Sequence, residues 1–445
     1  MPHQGLPDPA RAYAQWLDSC ARAGWREQPA TEEVPLAAAL GRVTAGEVRA
    51  RWACPQVACA AMDGIAFLAA DAAGGRVPAN AFAWTDTGDP LPPGTDTVVP
   101  RERVVIGGDG GAEIAPPADG SPASGAPGAV RPGLNVRSAG EDFPAGALLV
   151  PAGRRLRPGD LGAAAAGGHA TLLVARRPRV AIIPTGDEIR AAGVPLRPGE
   201  IADSNSVTLA ALATSCGADP LVSDVQPDDP DVLAAALRHA ALAADLVLLI
   251  AGSSRGRDDY APTVIEQVGG LAVHGVAVRP GHPALLGHIK RSDPGVVPVI
   301  GVPGYPLAAA VITQRFALPL LAQLQGVAAA SGPLVQARLD RDWSSSPDVE
   351  DWVPVALAPP SAPDLAAGPA QAAPAAGLPW ATPARRGAGS TSQLARADGW
   401  WTISVGQGTF RCGDLISVCP FPAVATEPTA AWCRPTSPAG SPPPA

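Results

Sequence analysis

Lysine is almost absent from the sequence: all but one of its 33 basic residues are arginine, the exception being Lys290. The depletion runs along the whole chain, so an arginine where chemistry would favour lysine need not indicate a changed function. Positive charge is also in the minority, with a formal net charge of −8. A general nucleic-acid surface requires a basic face, and we therefore expect no nucleic-acid partner.

Cysteine pairs and long apolar runs are absent as well. The seven cysteines are scattered, without a Cys-x-x-Cys pair and without histidines at zinc-site spacing, which predicts reduced thiols that are mostly buried. The N-terminus has no basic run followed by an apolar stretch, and no apolar run approaches the roughly 18–20 residues of a membrane span. We therefore expect a cytoplasmic protein without a membrane-spanning segment.

The length of 445 residues predicts about three or four domains, at roughly 100–200 residues each. Apolar spacing predicts a helix near the start of the chain and a second amphipathic helix at residues 35–50. The predicted division is a mixed α/β linker or dimerisation domain from residues 1–50 and 132–177, an inserted β-rich domain at 51–131, an α/β domain at 178–327, a C-terminal β-barrel-like domain at 328–425 and a disordered tail at 426–445.

The clearest signal lies between residues 179 and 250, where apolar strands alternate with helices. Strands are predicted at 180–184, 221–225 and 246–250, helices at 204–216 and 230–243, and a further helix at 307–326. Such alternation is typical of a doubly wound α/β domain with a parallel sheet. The predicted fold class is therefore multidomain α/β, with this domain at the centre, two β-rich domains and a mixed linker domain.

Polar residues follow the predicted strands at the places where the strands end. A Thr-Gly-Asp-Glu run at 185–188 follows the first strand, and a Gly/Ser loop with two arginines at 251–257 follows the third. In an open α/β sheet the ligand lies beyond the carboxyl ends of the strands, and a Gly/Ser loop that opens a helix suits phosphate. Alone the loop is weak evidence, because such turns are common.

Two rigid turns accompany this loop. They are Arg-Pro-Gly-His-Pro at 279–283 and Gly-Val-Pro-Gly-Tyr-Pro at 301–306, and turns of this kind hold backbone groups still around a small ligand. His274, His282 and His288 fall near the first turn. Their spacing does not favour a metal trio, so only His282 is assigned a role.

Five carboxylates are candidate ligands for a hard cation such as Mg²⁺: Asp63, Asp142, Glu188, Asp228 and Asp259. Mg²⁺ usually takes one or two carboxylates together with waters and substrate phosphate oxygens. The alternative is that each carboxylate is a helix cap or a solvated charge. For Asp228 the two interpretations are equally supported, whereas the positions of Glu188 and Asp259 favour the ligand.

Short motifs recur along the chain in a defined order. They are Ala-Met-Asp-Gly at 61–64, Thr-Gly-Asp-Pro-Leu-Pro-Pro-Gly-Thr-Asp-Thr-Val-Val at 87–99, Asn-Val-Arg at 135–137, Gly-Glu-Asp at 140–142, Thr-Gly-Asp-Glu at 185–188, Asp-Ser-Asn at 203–205, Asp-Tyr at 259–260, Gly-Ser-Thr-Ser at 389–392 and Leu-Ala-Arg-Ala at 394–397. This ordered set resembles the molybdopterin molybdenumtransferase family, which includes MoeA and the gephyrin E domain. Each motif is weak alone, whereas the set is highly specific.

The resemblance implies an elongated homodimer of four-domain chains, with a pterin on the α/β domain and the site completed by the partner's β domain. It implies that adenylyl-molybdopterin is cleaved with release of AMP and that molybdate is inserted, with Mg²⁺ as cofactor. An adenylyltransferase or a molybdoenzyme is a candidate protein partner. The predicted catalytic residues are Asp63, Asp142, Glu188 and Asp259, and the predicted metal ligands are Glu188, Asp228 and Asp259. The predicted substrate-binding residues are Thr185, Gly186, Asp187, Gly252, Ser253, Ser254, Asp228, Arg279, His282, Pro303, Pro306 and Ser390.

Several positions depart from the family pattern. Arg279 and His282 replace two lysines, Ala251 replaces a glycine, Tyr305 replaces an asparagine, and Val349 and Pro354 correspond to arginines. These departures concern contact with the oxyanion more than contact with the pterin. A second interpretation is therefore a non-catalytic pterin-binding chaperone or regulator. Tungsten instead of molybdenum is a third.

Overall fold

A computed structural model describes residues 5–26, 29–116, 130–251, 260–291, 295–328, 333–359 and 377–421. The chain divides into two compact units. Residues 30–176 form one, here named the small unit, and residues 1–29 with 177–445 form the other, named the large unit. The finer division into four domains stays a prediction.

Helix α1 (Pro9–Arg22) opens the chain and belongs to the large unit. The Asp8 carboxylate caps it by accepting from two backbone N–H groups of the first turn, at 3.0 and 2.9 Å. On its buried face, the Trp16 indole N–H donates to the carbonyl of Gly287 at 2.7 Å. The predicted first helix is thus present, and its buried face packs within the core of the large unit.

The small unit is built mainly from short strands. They are β1 (Thr31–Pro35), β2 (Val48–Arg49), β3 (Cys59–Ala60), β4 (Gly64–Phe67), β5 (Arg76–Val77), β6 (Phe82–Thr85), β7 (Thr97–Pro100), β8 (Val104–Ile106), β9 (Ala112–Ile114), β10 (Val136–Arg137), β11 (Leu148–Val150) and β12 (Thr171–Ala175), with helix α2 (Pro158–Ala166). β6, β4 and β7 form one antiparallel sheet, and β5, β9 and β8 form another.

Residues 35–50 do not form the predicted amphipathic helix. A short 3₁₀ turn at Leu36–Ala38 follows β1, and Val43 and Thr44 then make isolated β-bridges before β2 begins. Gly41, which lies between the 3₁₀ turn and Val43, has a φ of 72°. This left-handed conformation stops a helix. The β-branched side chains around it favour extended pairing, and this preference overrides the helical spacing of the apolar residues.

The α/β part of the large unit contains most of its helices. Its elements are β13 (Arg179–Pro184), β14 (Ile189–Arg190), β15 (Ile201–Ala202), α3 (Asn205–Ser215), β16 (Asp219–Val222), α4 (Pro230–Ala243), β17 (Leu246–Ala251), α5 (Ala261–Val268), β18 (Gly269–His274), β19 (Val278–Arg279), β20 (Leu285–Lys290), β21 (Val296–Pro303), α6 (Pro306–Ile312) and α7 (Leu318–Leu324). Six strands form one sheet in the order β16-β13-β17-β21-β20-β18. Helices α1, α3, α6 and α7 cover one face, and α4 and α5 cover the other.

This sheet is mixed and not wholly parallel. β16, β13, β17 and β21 run parallel, whereas β20 pairs antiparallel with both β21 and β18. Parallel neighbours need a connection of about a dozen residues or more, and only residues 291–295 separate β20 from β21. The predicted doubly wound parallel sheet therefore describes the four-stranded part and is wrong for β18 and β20.

The helix predicted at 307–326 is interrupted by a π-helical turn at Thr313–Ala317, between α6 and α7. Among the described residues, the whole run Pro306–Leu324 is long and apolar enough to cross a membrane. However, 67% of its most apolar window is buried inside the protein, as in a core helix. The expectation that no apolar run approaches span length is wrong in this respect.

The C-terminal part of the large unit is a ring of strands. Its elements are β22 (Val335–Leu339), β23 (Trp343–Ser344), β24 (Glu350–Ala358), β25 (Trp380–Pro383), α8 (Thr391–Ala395), β26 (Gly399–Ile403), β27 (Thr409–Phe410) and β28 (Leu415–Pro420). Pairings run from β24 through β25, β22, β28 and β26 back to β24. Strand β19 of the α/β part pairs in parallel with β24, so the two parts share backbone hydrogen bonds.

Candidate active site

The carboxyl ends of three neighbouring strands define the candidate site. Parallel register places the last residues of β13, β17 and β21 side by side. The segments that leave these strands therefore start at one edge of the sheet, where ligands of open α/β sheets bind. Three predicted binding residues, Thr185, Pro303 and Pro306, lie at this edge.

The turn after β13 is fixed by hydrogen bonds and by a glycine. Thr185 donates twice to the carbonyl of Ile250, from its N–H and from its hydroxyl, each at 3.0 Å. Gly186 has a φ of 132°, and a Cβ there would lie 2.7 Å from Ile189 Cγ1 and 3.0 Å from Glu188 Oε2. Only glycine fits this position, and the exposed Glu188 carboxylate lies close to it.

Three carboxylates gather beside this turn: Asp187, Glu188 and Asp228. The Asp228 N–H donates to Asp187 Oδ1 at 3.4 Å. The pKa of the Asp228 carboxyl is raised, chiefly because burial removes water from it and further because Asp187 and Glu188 are negative. Hydrogen bonds with the Asp187 backbone and the Thr185 hydroxyl oppose the shift. A cation at this place would relieve the repulsion.

The described carboxylates fit a cation that is shared with a substrate. Within the described ranges, no group of three or more His, Cys, Asp or Glu side chains is arranged to hold a metal ion. Mg²⁺ usually accepts one or two protein carboxylates together with substrate phosphate oxygens, and Glu188 and Asp228 match that number. The predicted third ligand and the predicted phosphate loop lie outside the described residues: Asp259, Gly252, Ser253 and Ser254.

Helix α3 adds a polar pair to which sequence reasoning gave no role. Asn205 Nδ2 donates to the carbonyl of Gly304 at 2.7 Å, which ties the start of α3 to the turn after β21. The side-chain oxygens of Asn205 and Ser206 are buried, and neither has a hydrogen-bond partner in the part of the chain that is described. Asp203 Oδ1 accepts from the Ser206 N–H at 2.9 Å, so Asp203 and not Ser204 caps this helix. The Asp-Ser-Asn motif was the only sequence signal.

The turn after β21 also contacts the C-terminal part of the large unit. The Leu307 N–H donates to the carbonyl of Ala388 at 3.0 Å. A Cβ on Gly389 would lie 3.4 Å from the ring of the exposed Tyr305. The loop that carries the predicted residue Ser390 therefore lies at the edge where the strands end.

Arg279 is a predicted binding residue whose charge is already paired. It lies opposite Asp351 in the register of β19 and β24, and its Nε and Nη2 donate to the two carboxylate oxygens at 3.2 and 2.5 Å. Asp351 also accepts from the Ser345 hydroxyl at 2.9 Å and from Arg386 Nη1 at 3.4 Å. The Asp351 side chain is only 4% exposed. One buried carboxylate thus holds two guanidinium groups, and neither Asp351 nor Arg386 was singled out from the sequence.

The histidines near the first rigid turn do not form a metal site within the described residues. His282 is exposed. Gly281 before it has a φ of 124°, and a Cβ there would lie 2.8 Å from Ile312, so the turn packs on the end of α6. His288 is buried, and its pKa is lowered, first because of burial and then because of the positive charge of Lys290.

Asp63 and Asp142 belong to the small unit. Asp63 Oδ1 accepts from the N–H and the hydroxyl of Thr87, both at 2.6 Å. The bond from the Thr87 hydroxyl is the main reason that the pKa of Asp63 is lowered, followed by the bond from the Thr87 N–H, and the charge of Arg101 adds to the effect. Asp142 is exposed, and its N–H donates to the carbonyl of Cys54 at 3.1 Å. Catalytic roles for both aspartates stay predictions.

Three family models match successive parts of the chain. The MoeA N-terminal region (domains I and II) matches residues 9–168, a probable molybdopterin binding domain matches residues 181–323, and the MoeA C-terminal region (domain IV) matches residues 336–421. The second match contains the edge where β13, β17 and β21 end.

Curated relatives and solved structures agree with these matches. Molybdopterin molybdenumtransferase 2 of Mycobacterium tuberculosis is 33% identical over 353 residues, which cover 71% of this chain and 78% of the relative. Molybdopterin molybdenumtransferase of a Nostoc species is 32% identical over 249 residues, 56% of this chain and 54% of the relative. The crystal structure of a molybdopterin biosynthesis MoeA protein from Pyrococcus horikoshii covers 94% of this chain and 100% of its own, with a TM-score of 0.74 and 27% identity.

Proposed function

The chain belongs to the MoeA family, and from this premise we propose that it inserts molybdate into adenylyl-molybdopterin with release of AMP. It serves molybdenum cofactor biosynthesis, and its curated relatives are named molybdopterin molybdenumtransferases. Adenylyl-molybdopterin and molybdate are the proposed substrates, Mg²⁺ is the proposed cofactor and the cytoplasm is the proposed location.

The observation that carries the proposal is the cluster of three carboxylates at the strand ends, Asp187, Glu188 and Asp228. It lies in the part of the chain that matches a molybdopterin binding domain, and within it the pKa of Asp228 is raised by partial burial and by the charges of Asp187 and Glu188. Such a group repels a bare diphosphate and attracts a cation. A cation between the carboxylates and the phosphate oxygens of adenylyl-molybdopterin offsets both charges.

In the proposed reaction the described residues bind and orient. Glu188 and Asp228 would hold Mg²⁺, which when bound supplies charge neutralisation at the diphosphate. The Thr185 bonds to β17 and the positive φ of Gly186 fix the backbone of the turn that carries Glu188. Asn205 keeps the turn after β21 in a fixed position, so that a bound pterin meets rigid backbone on two sides.

The proposal includes a homodimer whose site is shared between chains. It is supported by the family resemblance of the Met-Asp-Gly motif around Asp63, which lies in the small unit. Mixing Asp63→Ala protein with Glu188→Ala protein should then restore about one intact site in each mixed dimer. Each variant alone is the control, and no recovery in mixtures shown to exchange subunits would count against a shared site. An adenylyltransferase and a molybdoenzyme are the proposed protein partners.

The rival interpretation is a chaperone or regulator that binds the pterin without inserting metal. The replacement of a family lysine by His282 favours it, because it changes a group expected to meet the oxyanion. The deciding experiment incubates purified protein with adenylyl-molybdopterin, Mg²⁺ and molybdate, and follows AMP release and formation of active cofactor. Pterin binding without AMP release would establish the rival, and a parallel reaction with tungstate tests the choice of metal.

A further inference from the structure

Arg386 and Asp351 have no role in the proposed function. Together with Arg279 they form a charged cluster in the large unit. We propose that Arg386 binds a tetrahedral oxyanion and that Asp351 positions Arg386 together with Arg279. The inference rests on the proposed function, because the oxyanion is either the metal oxyanion or a phosphate of the pterin nucleotide.

Arg386 is held by three different contacts. Its Nη1 donates to Asp351 Oδ2 at 3.4 Å, its Nη2 donates to the carbonyl of Ser344, and its guanidinium carbon lies 4.7 Å from the centre of the Trp343 ring. Stacking on an aromatic ring and hydrogen bonds from both terminal nitrogens fix the plane of a guanidinium. The side chain nevertheless stays 46% exposed, so a ligand can reach it.

The cluster carries an excess of positive charge. Asp351 is a single carboxylate shared by Arg279 and Arg386, and its oxygens already accept from both arginines and from Ser345. The neighbouring carboxylate, Glu350, is paired with Arg315 at 3.0 Å. Among the described residues, one cationic charge of the cluster therefore remains unbalanced, and a guanidinium matches the oxygens of a tetrahedral anion well.

The cluster is connected to the strand-end edge. Two residues after Arg386, the carbonyl of Ala388 accepts from the Leu307 N–H in the first turn of α6, at 3.0 Å. Gly389 then packs on Tyr305. The loop that carries Arg386 thus starts at the charged cluster and, two to three residues later, contacts the turn that follows β21.

The first experiment removes the proposed contact. Arg386→Gln should weaken binding of molybdate and of tungstate by about tenfold to a hundredfold, the equivalent of a lost charge-assisted hydrogen bond. Calorimetric titration of the full chain with each anion measures the effect. Arg385→Gln is the matched control, because this exposed arginine is adjacent, loses the same charge and makes no ion pair among the described residues.

Titrations with inorganic phosphate and with AMP separate the two sources of oxyanion. A loss confined to phosphate and AMP assigns Arg386 to the nucleotide, and a loss confined to molybdate and tungstate assigns it to the metal oxyanion. Equal affinities for wild type and Arg386→Gln overturn the proposal. So do an equal loss in Arg385→Gln and the absence of measurable binding of all four anions to the wild type.

The second experiment tests positioning by Asp351. Asp351→Asn makes the cluster more positive, and charge alone would tighten oxyanion binding. Positioning predicts the opposite, a loss of about tenfold, because a misplaced group is a poor ligand. The double variant Arg386→Gln with Asp351→Asn should be no weaker than Arg386→Gln alone, since both act through one contact. Tighter binding by Asp351→Asn, or additive losses in the double variant, would refute the positioning role.

Two controls keep this test decisive. Glu350→Gln removes the next carboxylate in β24 and should leave oxyanion binding unchanged. If Asp351→Asn does not fold, Ser345→Ala removes one hydrogen bond from Asp351 without changing any charge, and it should weaken binding in the same direction. Failure of the proposed function is a separate result: the wild type would then bind the anions through Arg386 and yet release no AMP from adenylyl-molybdopterin.

Discussion

Gly186 gives the sharpest test of the strand-end geometry, because the structure leaves no room there for a Cβ. Its φ of 132° is strained for any other residue, and a Cβ would lie 2.7 Å from Ile189 Cγ1 and 3.0 Å from Glu188 Oε2. A positive φ costs an L-residue about 1–2 kcal/mol, and forced overlap in a packed region costs about 1–3 kcal/mol. Gly186→Ala should therefore destabilise the large unit by about 2–5 kcal/mol.

Gly193 is the matched control for this substitution. It also has a positive φ, 86°, but a Cβ there would meet nothing within 4 Å, so Gly193→Ala carries the backbone strain without the overlap. The difference between the two alanine variants isolates the overlap of about 1–3 kcal/mol, or about 2–12 °C in melting temperature at roughly 2–4 °C per kcal/mol.

Scanning calorimetry of both variants measures that difference. Because the overlap in Gly186→Ala displaces Glu188, turnover of this variant should also require more Mg²⁺, whereas Gly193→Ala should keep the wild-type requirement. Equal melting temperatures for the two variants would refute the packing around Gly186. An unchanged Mg²⁺ requirement in a destabilised Gly186→Ala would separate Glu188 from the cation.

Three further substitutions test the charges of the site. Asp228→Asn should stabilise the large unit at pH 7 without divalent cation, because a raised pKa means that the folded state disfavours the deprotonated carboxyl. This gain in stability should fade below about pH 4, where the Asp228 carboxyl keeps its proton in both the folded and the unfolded chain. Thermal melts across about pH 3–8 measure the gain. A variant less stable than the wild type at pH 7 would contradict the prediction. Glu188→Gln should lower turnover more than pterin affinity, and equal losses would assign Glu188 to ground-state binding. His282→Lys should tighten molybdate binding, because a lysine ammonium restores the cation of the family pattern; equal molybdate affinities for wild type and His282→Lys would remove His282 from the site.

Much of the α/β part could be predicted because its signals are local. Each buried strand is a run of aliphatic residues, and α4 begins at a local cap, where Asp229 accepts from two backbone N–H groups at 2.9 and 3.0 Å. Parallel strands end at one edge, so the polar runs that begin at Thr185 and Ala251 could be placed together without coordinates. The direction of β20 was not predictable in this way, since aliphatic runs carry no information on strand polarity.

The remaining errors and omissions arise from contacts between distant parts of the chain. Asp351 lies 72 residues from Arg279 and 35 residues from Arg386 along the sequence, and no period or motif links such positions. At residues 35–50 the helical spacing of apolar residues was genuine, but pairing with strands far along the small unit prevailed. The residues that sequence reasoning missed are thus those whose role depends on a tertiary partner.

The lysine depletion has a structural consequence at Arg279. Its guanidinium donates Nε to one oxygen of Asp351 and Nη2 to the other, a fork that a lysine ammonium cannot reproduce. Arg279 and Asp351 are also opposite each other in the parallel pairing of β19 with β24, so the ion pair reinforces the backbone connection between the α/β part and the strand ring. The lysine depletion alone would account for an arginine at position 279. In the structure, however, Arg279 also links the α/β part to the strand ring. Because that link occupies its charge, contact with an oxyanion passes to the second arginine on the same carboxylate, Arg386.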